Sequence, residues 1–386
     1  MTQTADPSLL LPLMRIGLDP VPELAALRSE RPVARLEVPD DLAVVWLVTG
    51  HEEVRAVLGD TASFSNDLHN LAGTGLEMLA EQDPGGLGFR DPPEHTRLRR
   101  LLTPAFTVRR LRELQPRIEA VVAAQLDAMA AAGPGVDLVE TFAVPVPSLV
   151  ICELLGVPVA DRAEFERRSV SRFDALGDME SSLAAVHESM DYLRGLVVAQ
   201  RSNPGDGLLG MLIREHGDEV GDDDLAALAD GVLTGGHETT ASMLALGALV
   251  LLEDPQRRAA VLGDAAGVDA VVEDLLRYLS VVQVAFPRFA RHDVEVGGVR
   301  IGAGDVVLCS LSGADRDPAL GSAGHLAFGH GLHRCVGAEL GRMELRTAYP
   351  ALLRRFPGLR LAVPRDELAF RMFSIVYGVE SLPVEW

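Results

Sequence analysis

Apolar residues recur along this chain mostly at the three- and four-residue spacing of helices, and only in short patches at the alternating spacing of strands. The pattern predicts a short helix over Pro20 to Arg31, a strand over Val44 to Val48 and a helix from His51 to Leu58. Leu68 to Arg90 is rich in glycine and polar residues and reads as a loop with one helical piece. Arg97 to Ala132 alternates apolar and charged positions at helical spacing, with breaks predicted near Pro104 and Pro116. Phe142 to Leu155 reads as an apolar helix stopped by Gly156-Val157-Pro158, and Arg162 to Gln200 as two helical runs around a loop at Gly177. The longest predicted helix runs from Asp222 to Glu253, roughly 48 Å at a rise of about 1.5 Å per residue. It is apolar on most faces and should cross the core, while Asp222, Asp223 and Asp224 suit its N-terminus electrostatically. Glycines at 297, 298, 302 and 304 punctuate short strands around Val294–Val296 and Val306–Leu308. The sum is a mainly α fold with a minor β part.

No Ser/Gly-rich linker, charge block or internal repeat divides residues 1–386, so a single domain with a large core is expected. Hydrophobic residues at 48% and charged residues at 24% are ordinary for a globular chain. The formal net charge of −21 argues against nucleic-acid binding, which needs a basic surface, and fits a self-repelling, soluble monomer. Three cysteines, Cys152, Cys309 and Cys335, make no disulfide framework, as in a reducing cytosol. Cys152 and Cys309 lie in apolar runs and read as packing residues. The apolar N-terminal run Ser8 to Met14 is too short to span a bilayer and lacks a signal-peptide layout, so a cytoplasmic protein without a membrane span is expected.

Cys335 is different. It stands in Phe328-Gly329-His330-Gly331-Leu332-His333-Arg334-Cys335-Val336-Gly337, with an aromatic, several glycines and three basic side chains within ten residues. Gly331 permits the positive φ of a sharp turn, and Gly337 permits close approach of backbone to a flat ring. Val336 to Arg346 reads as a helix, which places the sulfur at a helix N-terminus, where free N–H groups favour an anion. A single thiolate on such a loop is how a protein gives haem iron an axial sulfur. Phe328 would shield it, and His333 and Arg334 could meet the propionates. A buried cysteine in a glycine-rich loop is the plain alternative.

This stretch resembles the haem-binding loop of the cytochrome P-450 superfamily, and three further motifs extend the resemblance along nearly the whole chain. Asp91-Pro92-Pro93-Glu94-His95-Thr96-Arg97-Leu98-Arg99-Arg100 is similar to the family's helix C segment, which implies His95 and Arg99 as propionate ligands. Phe286-Pro287-Arg288-Phe289-Ala290 implies a further propionate contact from Arg288. Gly235-Gly236-His237-Glu238-Thr239-Thr240 resembles the oxygen-activation segment of the central helix. There Gly235 and Gly236 would loosen the helix and free a carbonyl, Thr239 would hydrogen-bond dioxygen, and Glu238 would relay protons. An ordinary helix-surface Glu-Thr pair with packing glycines is the alternative for that hexapeptide alone. A fatty-acid peroxygenase of the superfamily would lack the acid–alcohol pair, so its presence favours O₂ and external electrons. The cofactor implied is haem b, under a long central helix.

No flavin, nicotinamide or iron–sulfur motif is visible, so electrons are expected from a ferredoxin and an NAD(P)H-linked ferredoxin reductase. Arg97, Arg100, Arg109, Arg110 and Arg112, with Arg342 and Arg346, would form a basic docking face, two solvated helix faces being the alternative. By resemblance the substrate pocket is lined by Leu68 to Phe89, the helices flanking Gly177, Leu233 with Gly236, Val281 to Phe286 (Val282 and Phe286 among them), and Phe373 to Val376. These residues are mostly apolar, implying an apolar or carrier-bound substrate. Two departures from the family stand out. Its Glu-x-x-Arg pair is here Asp274-Leu275-Leu276-Arg277, with Glu273 a competing partner for Arg277. Only nine residues separate Asp315-Arg316-Asp317-Pro318 from Phe328, fewer than the family usually has, and Arg316 is the one local candidate for the missing network member. The resemblance implies a monooxygenase that hydroxylates or epoxidises an apolar molecule of bacterial secondary metabolism. Oxidative coupling or ring closure without oxygen insertion, and a haem protein without turnover, are the alternatives.

Overall fold

Most strands of the described residues lie before residue 66 or between residues 288 and 309, whereas most of the long helices follow one another in the middle of the chain. The computed structural model describes residues 7–38, 43–71, 87–158, 161, 179–321 and 324–386. They form two compact units, one built from Met1–Arg97, Leu276–Cys335 and Met372–Tyr377, the other from Leu98–Leu275, Val336–Arg371 and Gly378–Trp386.

The first unit carries the larger sheet. Its strands lie in the order Phe64–Ser65, Arg288–Ala290, Val306–Cys309, Val45–Val48, Val33–Arg35, with Val306–Cys309 parallel to Val45–Val48 and the other pairs antiparallel. Valines and aromatics such as Phe64, Trp46 and Phe289 recur in these strands, as suits a half-buried pleated surface. The helix His51–Gly59 buries Val54, Val57 and Leu58 among the strand residues Val48, Val307 and Cys309. A separate hairpin pairs Val294–Val296 with Val299–Ile301 through Gly297 and Gly298, whose φ values of 56° and 77° suit a two-residue turn. Both strands predicted in this region are present.

The second unit is helical, with a small sheet of Val136–Asp137, Pro383–Glu385 and Arg360–Leu361. Its central helix spans Asp222–Glu253, the bounds its apolar pattern predicts, and buries side chains on all faces along its C-terminal half. Two of its glycines make room for neighbours. A Cβ on Gly236 would lie 2.5 Å from Ile151 Cδ1, and one on Gly247 would overlap the Tyr349 hydroxyl, which donates to the Met243 carbonyl.

Two expectations need correction. Pro116 does not break its helix, which runs unbroken over Val108–Ala132. Pro116 stands on the exposed face, while Leu111, Leu114, Ile118 and Val122 on the other face are buried and hold the turns on either side of it. The expected break near Pro104 does occur, as a 3₁₀ turn over Thr103–Phe106. The helix after Cys335 begins at Ala338 and runs to Arg355, later at both ends than its sequence predicts. Gly177 and its preceding helical run, with residues 72–86 of the expected pocket loop, lie outside the described residues. Among the described residues no helix is long and apolar enough to cross a membrane.

Candidate functional site

In the first unit the cysteine loop is shaped by its own backbone. Gly329 N–H donates to the Leu326 carbonyl at 2.7 Å, Arg334 N–H to the Gly331 carbonyl at 3.1 Å, and Cys335 N–H to the Phe328 carbonyl at 2.9 Å. Gly331 has φ 69°, and any side chain there would overlap the Leu58 carbonyl, so the loop lies tight on the helix His51–Gly59. Cys152 and Cys309 are buried, whereas Cys335 is exposed. Burial pushes the Cys309 thiol up to about 12, which keeps it protonated and inert, as a packing residue should be. Phe328 and His333 are half-buried on the same loop, and the His333 ring lies 4.3 Å from that of His95, itself fully buried.

Arg288 is only 4% exposed on its strand. Its guanidinium donates to the carbonyls of Phe286 at 2.7 Å and Pro287 at 3.5 Å, and no carboxylate among the described residues pairs with it. Nearby Asp91 is committed elsewhere, to Arg291, the Ser65 hydroxyl and the Asn66 N–H. Burial lowers the Arg288 pKa, since nothing close by fully offsets desolvation. A buried guanidinium without a carboxylate fits an anionic ligand group, such as a haem propionate.

The same unit presents an apolar strip. Gln283 N–H donates to the Ile375 carbonyl and Tyr377 N–H to the Val281 carbonyl, which lays residues 372–377 along residues 281–286. Phe286, Met372 and Ile375 on these two segments are 51%, 42% and 42% exposed. Phe89 packs edge-on against Phe286, with ring centroids 4.6 Å apart. Phe373 holds φ at 60°, a conformation a bulky side chain adopts at a cost of about 1–3 kcal/mol. Val282 is half-buried beside them. An exposed apolar strip of this kind suits an apolar ligand.

In the second unit Glu238 is 3% exposed and ion-paired with Arg371, whose other terminal nitrogen donates to the Ser242 hydroxyl at 2.6 Å. Sequence reasoning missed Arg371, a lone cation between Phe370 and Met372. The expected loosening at Gly235 and Gly236 is absent. The helix is continuous, and the Thr239 hydroxyl donates to the Gly235 carbonyl at 2.6 Å. Back-bonding of this kind satisfies the carbonyl inside the helix instead of opening it. Leu233 is buried, and Arg99 sits on the helix Glu94–Leu102. Gly337 caps the helix Ala338–Arg355 and accepts the Gly341 N–H at 2.9 Å.

The altered charge network has partners the sequence did not indicate. Asp274 takes Nε and Nη2 of Arg257 at 2.9 and 2.8 Å, and Glu273 takes Nε and Nη2 of Arg342 at 2.6 and 3.0 Å. Arg277 donates to the Asp315 carbonyl at 3.4 Å. Arg316 donates to the Tyr278 carbonyl and pairs with Asp19.

No family model matches the chain. It is 42% identical to cytochrome P450 FAS1 of Rhodococcoides fascians, over the whole of both chains. It is 41% identical to a vitamin D3 dihydroxylase of Streptomyces griseolus, over 88% of this chain and 87% of that one. Among solved structures it matches OxyC, a cytochrome P450 implicated in an oxidative C–C coupling reaction during vancomycin biosynthesis. The TM-score is 0.87 and the identity 40%, over 97% of this chain and 96% of that one.

Proposed function

The chain belongs to the cytochrome P450 superfamily of haem-thiolate monooxygenases, and from that premise we propose that it oxidises an apolar organic substrate of bacterial secondary metabolism. Cys335 is the thiolate ligand in this reading. The observation that carries it is the one exposed cysteine of the three, held on a backbone-braced loop in the unit that also buries Arg288, which pairs with no carboxylate among the described residues. Haem so ligated supplies oxygen activation, because the thiolate pushes electron density onto the iron.

The remaining chemistry falls to the chain's own residues. Arg288, His95, His333 and Arg99 would hold the propionates, Phe328 would shield the sulfur, Gly331 allows the turn of the loop, and Gly337 would let backbone approach the ring. Thr239 would order dioxygen, for which its hydroxyl has to turn from the Gly235 carbonyl that it meets in the helix. Glu238 passes protons inward when its pair with Arg371 opens. While the pair is closed, the carboxylate is engaged by the Arg371 guanidinium. Gly236, Leu233, Val282, Phe286 and Phe373 line the substrate side, and their apolar character selects against charged ligands.

Oxidative coupling without oxygen insertion is the second reading, favoured by the likeness to OxyC. Product formed under ¹⁸O₂ carries the label for hydroxylation or epoxidation and lacks it for coupling. The test of the ligand is the reduced CO-difference spectrum. Wild type is expected to give the Soret band of a thiolate-ligated haem and Cys335→Ser to lose it. A band typical of histidine ligation in wild type rejects the assignment.

A further inference from the structure

We propose that Asp315 is a positioning residue for the cysteine loop: its buried carboxylate anchors Leu326 and thereby sets the turn that presents Cys335. The inference rests on the reading of Cys335 as the haem ligand. Asp315 follows the short helix Leu311–Ala314 and is fully buried. A buried carboxylate is costly unless its oxygens are satisfied, and both of these are. Oδ1 accepts the Leu326 N–H at 2.6 Å, a short bond for a backbone donor. Oδ2 accepts the Ser280 hydroxyl at 2.8 Å.

From Leu326 the register passes directly to the sulfur. The Leu326 carbonyl accepts Gly329 N–H, closing the turn that carries Phe328, and the Phe328 carbonyl accepts Cys335 N–H. Two hydrogen-bonded closures therefore lie between the Asp315 carboxylate and the ligand residue. Leu326 is 1% exposed, so water cannot replace the carboxylate as acceptor for its N–H.

The anchor itself is fixed from behind. Ser280, at φ 37°, turns its carbonyl to Arg15 Nη2 at 3.0 Å, and Arg15 Nε donates to Gln283 Oε1 at 2.8 Å. Gln283 Nε2 in turn donates to the Ser374 carbonyl at 2.7 Å. Asp315 N–H is tied to the Leu311 carbonyl, and its own carbonyl accepts from Arg277. Two other side chains nearby carry acceptors, and each is engaged elsewhere. Asp317 accepts the His51 N–H, and His325 Nδ1 accepts the Ala327 N–H. Among the described residues, Asp315 is the side chain that meets the Leu326 N–H. Burial raises its pKa from the ordinary carboxylate value, and the two donors, with His325 and His51 nearby, oppose that rise. The short stretch between Pro318 and Phe328 thus gains from a single side chain the fixation that its length does not provide.

The test compares Asp315→Ala and Asp315→Asn in the holoprotein by two readouts. One is the thiolate-type fraction in the reduced CO-difference spectrum. The other is amide hydrogen exchange in peptides covering residues 326–335, with the hairpin at 294–301 as reference. Asparagine keeps an oxygen for the Leu326 N–H, whereas alanine does not. Expected for alanine is a loss of at least half of the thiolate-type fraction, with residues 326–335 exchanging about tenfold faster and the hairpin unchanged. Expected for asparagine is wild-type behaviour in both. Should the alanine variant not accumulate, Asp315→Ser, too short to reach Leu326, carries the same expectation. Wild-type values for alanine or serine overturn the proposal, and so does an asparagine variant as impaired as alanine. A wild type that lacks the thiolate band rejects Cys335 as ligand instead, and the exchange readout then judges the anchor alone.

Discussion

Glu238 and Arg371 show how much one buried pair can decide. Glu238 is nearly inaccessible, and its charge is tolerated because the Arg371 guanidinium meets it and reaches on to Ser242. Removing the cation leaves an uncompensated buried carboxylate, which costs roughly 3 kcal/mol or more. Arg371→Leu should therefore lower the unfolding free energy by about that amount, and adding Glu238→Leu should restore most of it. Denaturant midpoints of the two single variants and the double variant measure this. Equal midpoints for Arg371→Leu and wild type would show the pair to be energetically idle. Glu238 was recognisable from its Gly-Gly-His-Glu-Thr-Thr setting, but Arg371 lies 133 positions away in an unremarkable stretch. No local pattern joins them; only the folded chain does.

At the scale of the element, the central helix is set by sequence and tuned by contact. Its length follows from an uninterrupted apolar run with acids at the first turn. Its local behaviour does not follow from sequence, because glycine in a helix has two opposite meanings. Gly236 reads as a point of weakness, yet in the structure it is a point of closest approach to Ile151 on Pro145–Leu155. Gly236→Ala gains helix propensity of about 1 kcal/mol but forces overpacking worth about 1–3 kcal/mol, so net destabilisation is expected. Ile151→Val removes the methyl in the way, and the double variant should be more stable than the two single effects predict by addition. Strict additivity would mean the two helices move apart at no cost. The long helix at Val108–Ala132 teaches the same lesson from the other side, since buried apolar residues flanking Pro116 carry the helix across a proline.

Charge is the property of the whole molecule that bears on partners. A net −21 repels an acidic protein in general, so an acidic ferredoxin needs a local basic patch. The structure thins the patch that sequence proposes. Arg97 pairs with Glu94, Arg110 with Glu113, Arg342 with Glu273, and Arg346 with Glu339 and Asp269. Arg100, Arg109 and Arg112 remain exposed and make no ion pair among the described residues, on two consecutive helices. Reversing Arg100 and Arg112 to glutamate should slow reduction by ferredoxin about tenfold or more at low salt, a difference that shrinks toward physiological ionic strength. The CO-difference spectrum should be unchanged. Stopped-flow reduction rates that do not respond to the reversal would place docking elsewhere, and Arg342, held by Glu273, is not expected to contribute.

Sequence by itself determined the class of this protein, because that information is local. Ten residues around Cys335 contain the turn glycine, the aromatic and the thiol together, and apolar periodicity over Asp222 to Glu253 defines the long helix without help from the rest of the chain. What tertiary structure alone decided is which charges answer one another. Asp274 finds Arg257, Glu273 finds Arg342, Arg371 holds Glu238, and Asp315 holds Leu326. Burial makes these pairings matter, since a carboxylate out of water needs a donor wherever the fold supplies one. The fold supplies it from residues that are near only in space.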